Sequence, residues 1–225
     1  MAMSEATGVG GHETRSAKTR TQLIEAAIEV IGSVGYEAAS TRLLAKAAGT
    51  NLSAIPYHFG GKKELYLAAA QAIADYARVR FEEVAQILET RQLGDKFGYF
   101  EEALVRLFHL VVEDTEPRAW TSFLARCAFE NDEAFALIQD QAISPLMDRL
   151  IQSAGEIFAN WPARDVALRL RISTIVTAIV SFKFLRGLVM RSMDWKGIHA
   201  SGARQIEEMI RSLCRSDFLR AQVSH

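Results

Sequence analysis

The sequence predicts an all-α fold of about nine helices, an N-terminal helix-turn-helix three-helix domain followed by a larger helical domain. Two observations predict it. Only four prolines occur in 225 residues, among many Ala, Leu, Glu and Arg, a composition that favours helix. Apolar residues recur at helical spacing along most of the chain, and no segment reads as a convincing strand. Hydrophobic residues make up 49% and charged residues 24%, an ordinary folded mixture that excludes disorder and low-complexity function. A chain of this length buries about 70% of its unfolded surface and needs no disulfide staples.

Each element follows in turn. Residues 1–14 hold Gly, Ser, Thr and charge without periodicity and are expected to form a disordered tail. From Ala17 to Val34, Ile24, Ala27, Ile28 and Ile31 fall on one stripe, and Gly35 follows as a left-handed cap. Ser40 is placed to N-cap the short helix TRLLAKAA, its hydroxyl accepting from an otherwise unpaired backbone N–H. Gly49 stops that helix, a third runs from Leu52 to Phe59, and Gly60-Gly61 breaks the pattern again. A long helix starts near Lys62 and continues to about Glu89. After Gly94-Asp95, Phe97, Phe100, Leu104, Leu107, Phe108 and Val111 form the next stripe. Pro117 suits a first turn, Asp132 opens a helix broken or bent at Pro145, Pro162 starts one running to about Arg191, and Ala203–Arg215 is the last.

Net charge is −1, so a case for nucleic acid must be local. Residues 14–63 carry it: Arg15, Lys18, Arg20, Arg42, Lys46, Lys62 and Lys63 stand against Glu25, Glu29 and Glu37. That excess suits a module meeting phosphate at one end of an otherwise acidic chain. Residues 40–62, STRLLAKAAGTNLSAIPYHFGGK, set two short helices around a glycine-containing turn, the geometry of a helix-turn-helix. Helices this short are marginal alone; the flanking Ala17–Val34 and Lys62–Glu89 helices support them.

The ordered series TRTQLIEAAIEVIGSVGYEAAS, TRLLAKAAGTN and IPYHFGGKKELYLAA resembles the DNA-binding domain of the tetracycline-repressor (TetR) family of transcription regulators. The resemblance implies a DNA-binding domain over 15–62, an effector-binding and dimerisation domain over 63–225, and a homodimer on double-stranded DNA. It places Ser40, Thr41 and Arg42 at a helix start that approaches phosphate. Asn51, Leu52, Ser53 and Ala54 fall at the exposed start of the recognition helix, Tyr57 and His58 on its aromatic-histidine pair, and Lys62 on a phosphate-contacting lysine. One departure is Pro56, where the family commonly has an aromatic residue. Proline removes a backbone donor and is tolerable only in a helical first turn, as it would be if the regular helix began at Ser53 or Ala54. Leu52 and Ala54 are apolar where relatives carry polar readers, which leaves contact with thymine methyls.

Further along, Ile172, Ile175, Val176, Ile179, Val180 and Phe182 leave almost no polar face. A helix apolar all round must be covered all round, and a second subunit is the simplest cover for the outer side. FLARCAFEN, AISPLMDRL and RSMDWKG resemble the C-terminal domain of the subfamily named after the regulator CecR. Family behaviour implies a small-molecule effector among the central helices that releases the repressor from an inverted-repeat operator. Candidate pocket residues are Phe100, Leu104, Phe108, His109, Trp120, Phe123, Arg126, Phe129, Glu130 and Thr177.

No catalytic constellation stands in the chain: there is no His-Glu-x-x-His, Gly-x-Ser-x-Gly or paired Glu-x-x-His. Cys127 and Cys214 match no metal or redox spacing and read as small buried hydrophobes; no metal or cofactor is expected. The N-terminus lacks an apolar signal region. The apolar run Ile172–Phe182 is far shorter than the roughly 20 residues of a bilayer span. A cytoplasmic, non-enzymatic protein is expected. The alternative is a helical ligand-binding or protein-docking dimer without DNA binding.

Overall fold

The computed structural model describes the backbone of residues 9–90, 95–113, 117–157 and 165–223 and, within these, the side chains of residues 15–216. Among the described residues every regular element is helical: α1 (Val9–Val34), α2 (Thr41–Ala47), α3 (Ala54–Phe59), α4 (Lys62–Glu89), α5 (Lys96–Val112), α6 (Arg118–Glu130), α7 (Glu133–Ile138), a π-helical turn (Gln139–Ile143), α8 (Ser144–Ile157), α9 (Val166–Phe184), α10 (Arg186–Ser192) and α11 (Ala200–Val223). The count exceeds nine because two expected helices are interrupted. The π turn separates α7 from α8 and leaves Pro145 in the first turn of α8, where a missing N–H is tolerated. Pro162 lies outside the described residues, and α9 starts instead at Val166, capped by Asp165, whose carboxylate accepts from the Ala167 N–H at 2.7 Å. The expected helix to Arg191 bends by 90° between α9 and α10, next to Gly187, which weakens helix continuity.

α1 begins at Val9, so residues 9–14, expected in the tail, are helical. Extending a formed helix costs far less than nucleating one, and Gly10-Gly11 does not stop it. Residues 1–8 lie outside the described residues.

The chain divides into two compact units, residues 1–75 with 116–139, and 76–115 with 140–225. The division departs from a boundary at 62/63 because α6 and α7 join the N-terminal helices. In the first unit, Leu23, Ala27, Ile28, Ile31, Leu44, Ile55, Leu65 and Phe123 are buried. At Gly32 the helices α1 and α6 approach so closely that a Cβ would stand 2.7 Å from the Ala119 carbonyl oxygen. In the second unit, Phe100, Leu104 and Phe108 of α5 pack with Leu150, Ile172, Ile175, Ile179, Ile206 and Ile210. Glu101 is buried there, and its carboxylate accepts two hydrogen bonds from the Arg215 guanidinium at 2.8 and 2.9 Å. No single helix among the described residues is long and apolar enough to cross a membrane.

Candidate nucleic-acid interface

The helix-turn-helix is built by three local devices. Gly35, at φ 85°, ends α1 in a left-handed conformation that costs glycine nothing. Ser40 then caps α2, its Oγ accepting from the Leu43 N–H at 3.2 Å. Gly49, at φ 64°, turns the chain out of α2, and α3 starts at Ala54 rather than Leu52. Pro56 is therefore the third residue of α3, where no helical carbonyl lies behind it to lose a donor.

On this scaffold Thr41, Arg42, Asn51, Leu52, Ser53 and Tyr57 are exposed, together with Ser40. Tyr57 is 76% exposed and Leu52 51%, unusual for large apolar side chains beside a packed core. Asn51 and Leu52 occupy the turn ahead of α3, and the Ser53 hydroxyl donates to Asn51 Oδ1 at 2.8 Å. Ala54 departs from expectation. With Ile55 it is buried against the module, because the short α3 needs both small and branched apolar side chains to dock. His58 is half-buried, edge-on to Tyr57 at 4.9 Å. Lys62 opens α4 with its Nζ 4.2 Å from the centre of the Tyr36 ring, a cation–π contact that steers the ammonium.

Contacts from α6 and α7 hold the module, and sequence reasoning missed them. Arg126 Nε donates to the Gly32 carbonyl at 2.9 Å and Nη2 to that of Ser33 at 2.7 Å. A cation thus satisfies the last carbonyls of α1 at the negative end of its dipole. Lys63 donates to Glu133 at 3.0 Å. Tyr66 stacks near both Tyr36 and Phe123, at 4.7 and 5.3 Å between ring centres.

The same stretch is recognised by comparison. Residues 23–69 match the model of the tetR family of bacterial regulatory proteins. Residues 99–219, more than half of the chain, match the C-terminal domain of the HTH-type transcriptional dual regulator CecR. The chain belongs to the TetR family, with a CecR-type C-terminal domain. It is 28% identical over 211 residues to the transcriptional dual regulator CecR of Shigella flexneri, covering 90% of this chain and 91% of that one. It is also 32% identical over 120 residues to the repressor AcnR of Corynebacterium efficiens, covering 53% and 52% of the two chains. Among solved structures, HlyIIR, a hemolysin II transcriptional regulator, shares the fold with a TM-score of 0.58 at 18% identity, over 88% of this chain and 97% of that one.

This TetR-family chain does not gather the expected effector residues in either unit. Phe100, Leu104, Phe108, His109 and Thr177 belong to the second unit, and Trp120, Phe123, Arg126, Phe129 and Glu130 to the first. Phe100, Leu104, Phe108 and Phe123 are fully buried core residues. His109 Nε2 lies 2.9 Å from Glu207 of α11, a satisfied partnership. Thr177 and Glu130 are exposed, and Phe129 is 91% exposed. Helical periodicity places such residues on a face but does not say which neighbour covers it. A groove of about 220 Å³ in the second unit is lined instead by residues of α4, the π turn and α8, among them Phe81, Glu82, Ala142, Leu146 and Arg149.

Proposed function

We propose that this TetR-family regulator works as a cytoplasmic homodimeric repressor, without catalytic activity, that binds an inverted-repeat operator and leaves it when a small molecule occupies the helical domain. The observation that carries the DNA-binding part is the exposed row Thr41, Arg42, Asn51, Leu52, Ser53 and Tyr57 around a capped helix-turn-helix. Short donors at the start of α2 and the Lys62 ammonium meet phosphates. Asn51, Ser53 and Tyr57 reach base edges, and Leu52 offers an apolar surface for thymine methyl groups.

The dimer rests on α9. Leu168, Ile172, Ile175, Ile179 and Phe182 are buried, yet Val166, Leu170 and Phe184 on the opposite face are exposed, as are Leu185 and Leu188 beyond the bend and Met209 and Leu213 of α11. A second copy is the partner that covers a self-complementary stripe of this kind. Two recognition helices in twofold register then read half-sites about 34–36 Å apart.

Duplexes covering the DNA upstream of its own gene, titrated with the full chain at several salt concentrations, test the proposal. We expect saturable binding confined to an inverted repeat and a steep fall of affinity with salt. Absence of binding at low salt overturns it and leaves a helical ligand-binding or docking dimer.

A further inference from the structure

Helix α1 overhangs the module it belongs to. It starts at Val9, yet from Arg15 to Gln22 no side chain is buried, and the first buried one among the described side chains is Leu23. The stripe that faces the core at Ile31, Ala27 and Leu23 continues upstream, in helical steps of three and four, through Arg20 and Ser16. An amphipathic helix resting on protein would carry apolar residues there. Here the stripe turns cationic and hydroxylic.

The position of this overhang is given by Arg20, whose guanidinium carbon lies 5.1 Å from the centre of the Phe59 ring. Phe59 is the last residue of α3, so the overhang leaves the module beside the recognition helix. Arg15 and Lys18 are exposed, one turn apart, with no carboxylate between residues 14 and 24. The Thr19 and Thr21 hydroxyls donate back to the carbonyls of Arg15 and Ala17 at 3.1 and 3.2 Å, which leaves the two cations as the outward-reaching groups. A lipid surface requires an apolar face on such a helix; a duplex backbone requires only cations.

We propose that the N-terminal overhang of α1 is a second, sequence-independent DNA contact, with Arg15 and Lys18 each meeting a backbone phosphate beside the groove entered by α3. The proposal rests on the DNA-binding function argued above. The full chain carrying R15Q and K18Q, in which glutamine keeps the helix propensity, is titrated against a mixed-sequence 40-base-pair duplex between 50 and 200 mM salt, beside the unsubstituted chain. Losing two phosphate contacts lowers the slope of log K against log salt by about 1.8, so the affinity gap should be about twelvefold wider at 50 than at 200 mM. R15K with K18R should keep the original slope. If the unsubstituted chain binds steeply and R15Q/K18Q shares its slope, the overhang contact is wrong while the DNA-binding function stands. If the unsubstituted chain binds no duplex at all, the function itself fails. A loss seen on an operator but not on the mixed sequence also overturns the phosphate assignment.

Discussion

The Tyr66 hydroxyl donates to Asp132 Oδ2 at 2.5 Å, while Asp132 Oδ1 accepts from the Phe135 N–H at 3.0 Å. One carboxylate thus caps α7 and anchors α4, in the unit that carries the helix-turn-helix. Tyr66→Phe removes the phenolic donor and leaves the α7 cap intact. Because Tyr66 is 6% exposed and its partner is charged, we expect a loss of about 1–3 kcal/mol in denaturant unfolding with secondary structure retained.

The same cluster predicts a response to alkali. Burial pushes the Cys127 thiol up to about 11, and burial followed by the Asp132 hydrogen bond also raises the Tyr66 phenol. Both groups hold their protons more tightly folded than unfolded. Their contribution to stability is therefore complete below the unfolded thiol range, near pH 8.5, and is lost as pH rises towards 11. Melting temperature should fall over that interval, and Cys127→Ala should make the fall shallower. A flat profile between pH 8.5 and 11 would contradict the assignment.

Gly32 marks the closest approach of α1 and α6. An added Cβ would meet backbone atoms, the Ala119 oxygen at 2.7 Å and the Phe123 nitrogen at 3.1 Å, and backbone cannot swing aside. Gly32→Ala should cost about 1–3 kcal/mol despite improving helix propensity, read as a lowered midpoint in urea. Gly35→Ala tests a different cause, the φ of 85°, and should cost about 1–2 kcal/mol.

Asn51 and Ser53 act as a pair, because the serine hydroxyl orients the amide. Either alanine substitution should relax discrimination among operator variants, and the double variant should lose less than the two single losses combined. Lys62→Ala should instead weaken all sites alike and reduce the salt slope by about 0.9. Competition binding with a panel of single-base operator changes separates these outcomes.

Leu170 is 65% exposed on α9 and Leu188 66% exposed on α10. L170E and L188E place charge on the stripe proposed for the second copy while leaving the buried stripe untouched. Sedimentation should show monomers at micromolar concentration with helicity unchanged; dimers that persist would remove this face from consideration.

Much of the candidate site was legible in the sequence because its determinants are local. The Ser40 cap, the Asp132 cap and the left-handed glycines at 35, 49 and 60 each depend on residues within one turn, so residue type and spacing announce them. Tyr57 and Leu52 were legible as an exposed pair for the same reason. Ala54 was not: its exposure depends on how α3 rotates as it docks, and burial of Ala54 and Ile55 decides that rotation. The effector residues failed further, since Phe100, Leu104, Phe108 and Phe123 satisfy the pattern for a pocket wall and for a core equally well.

By itself, then, the sequence determined the helical class, the capped helix-turn-helix and the family, all consequences of backbone chemistry and periodicity acting over a few residues. Tertiary structure alone decided that α6 and α7 belong with the N-terminal helices, that Arg126 terminates α1 across 94 positions of chain, and that one face of α9 is buried while the other is bare. Those outcomes turn on which distant surfaces exclude water from each other, and hydrophobic burial, being non-directional, leaves no mark in the sequence of its partner.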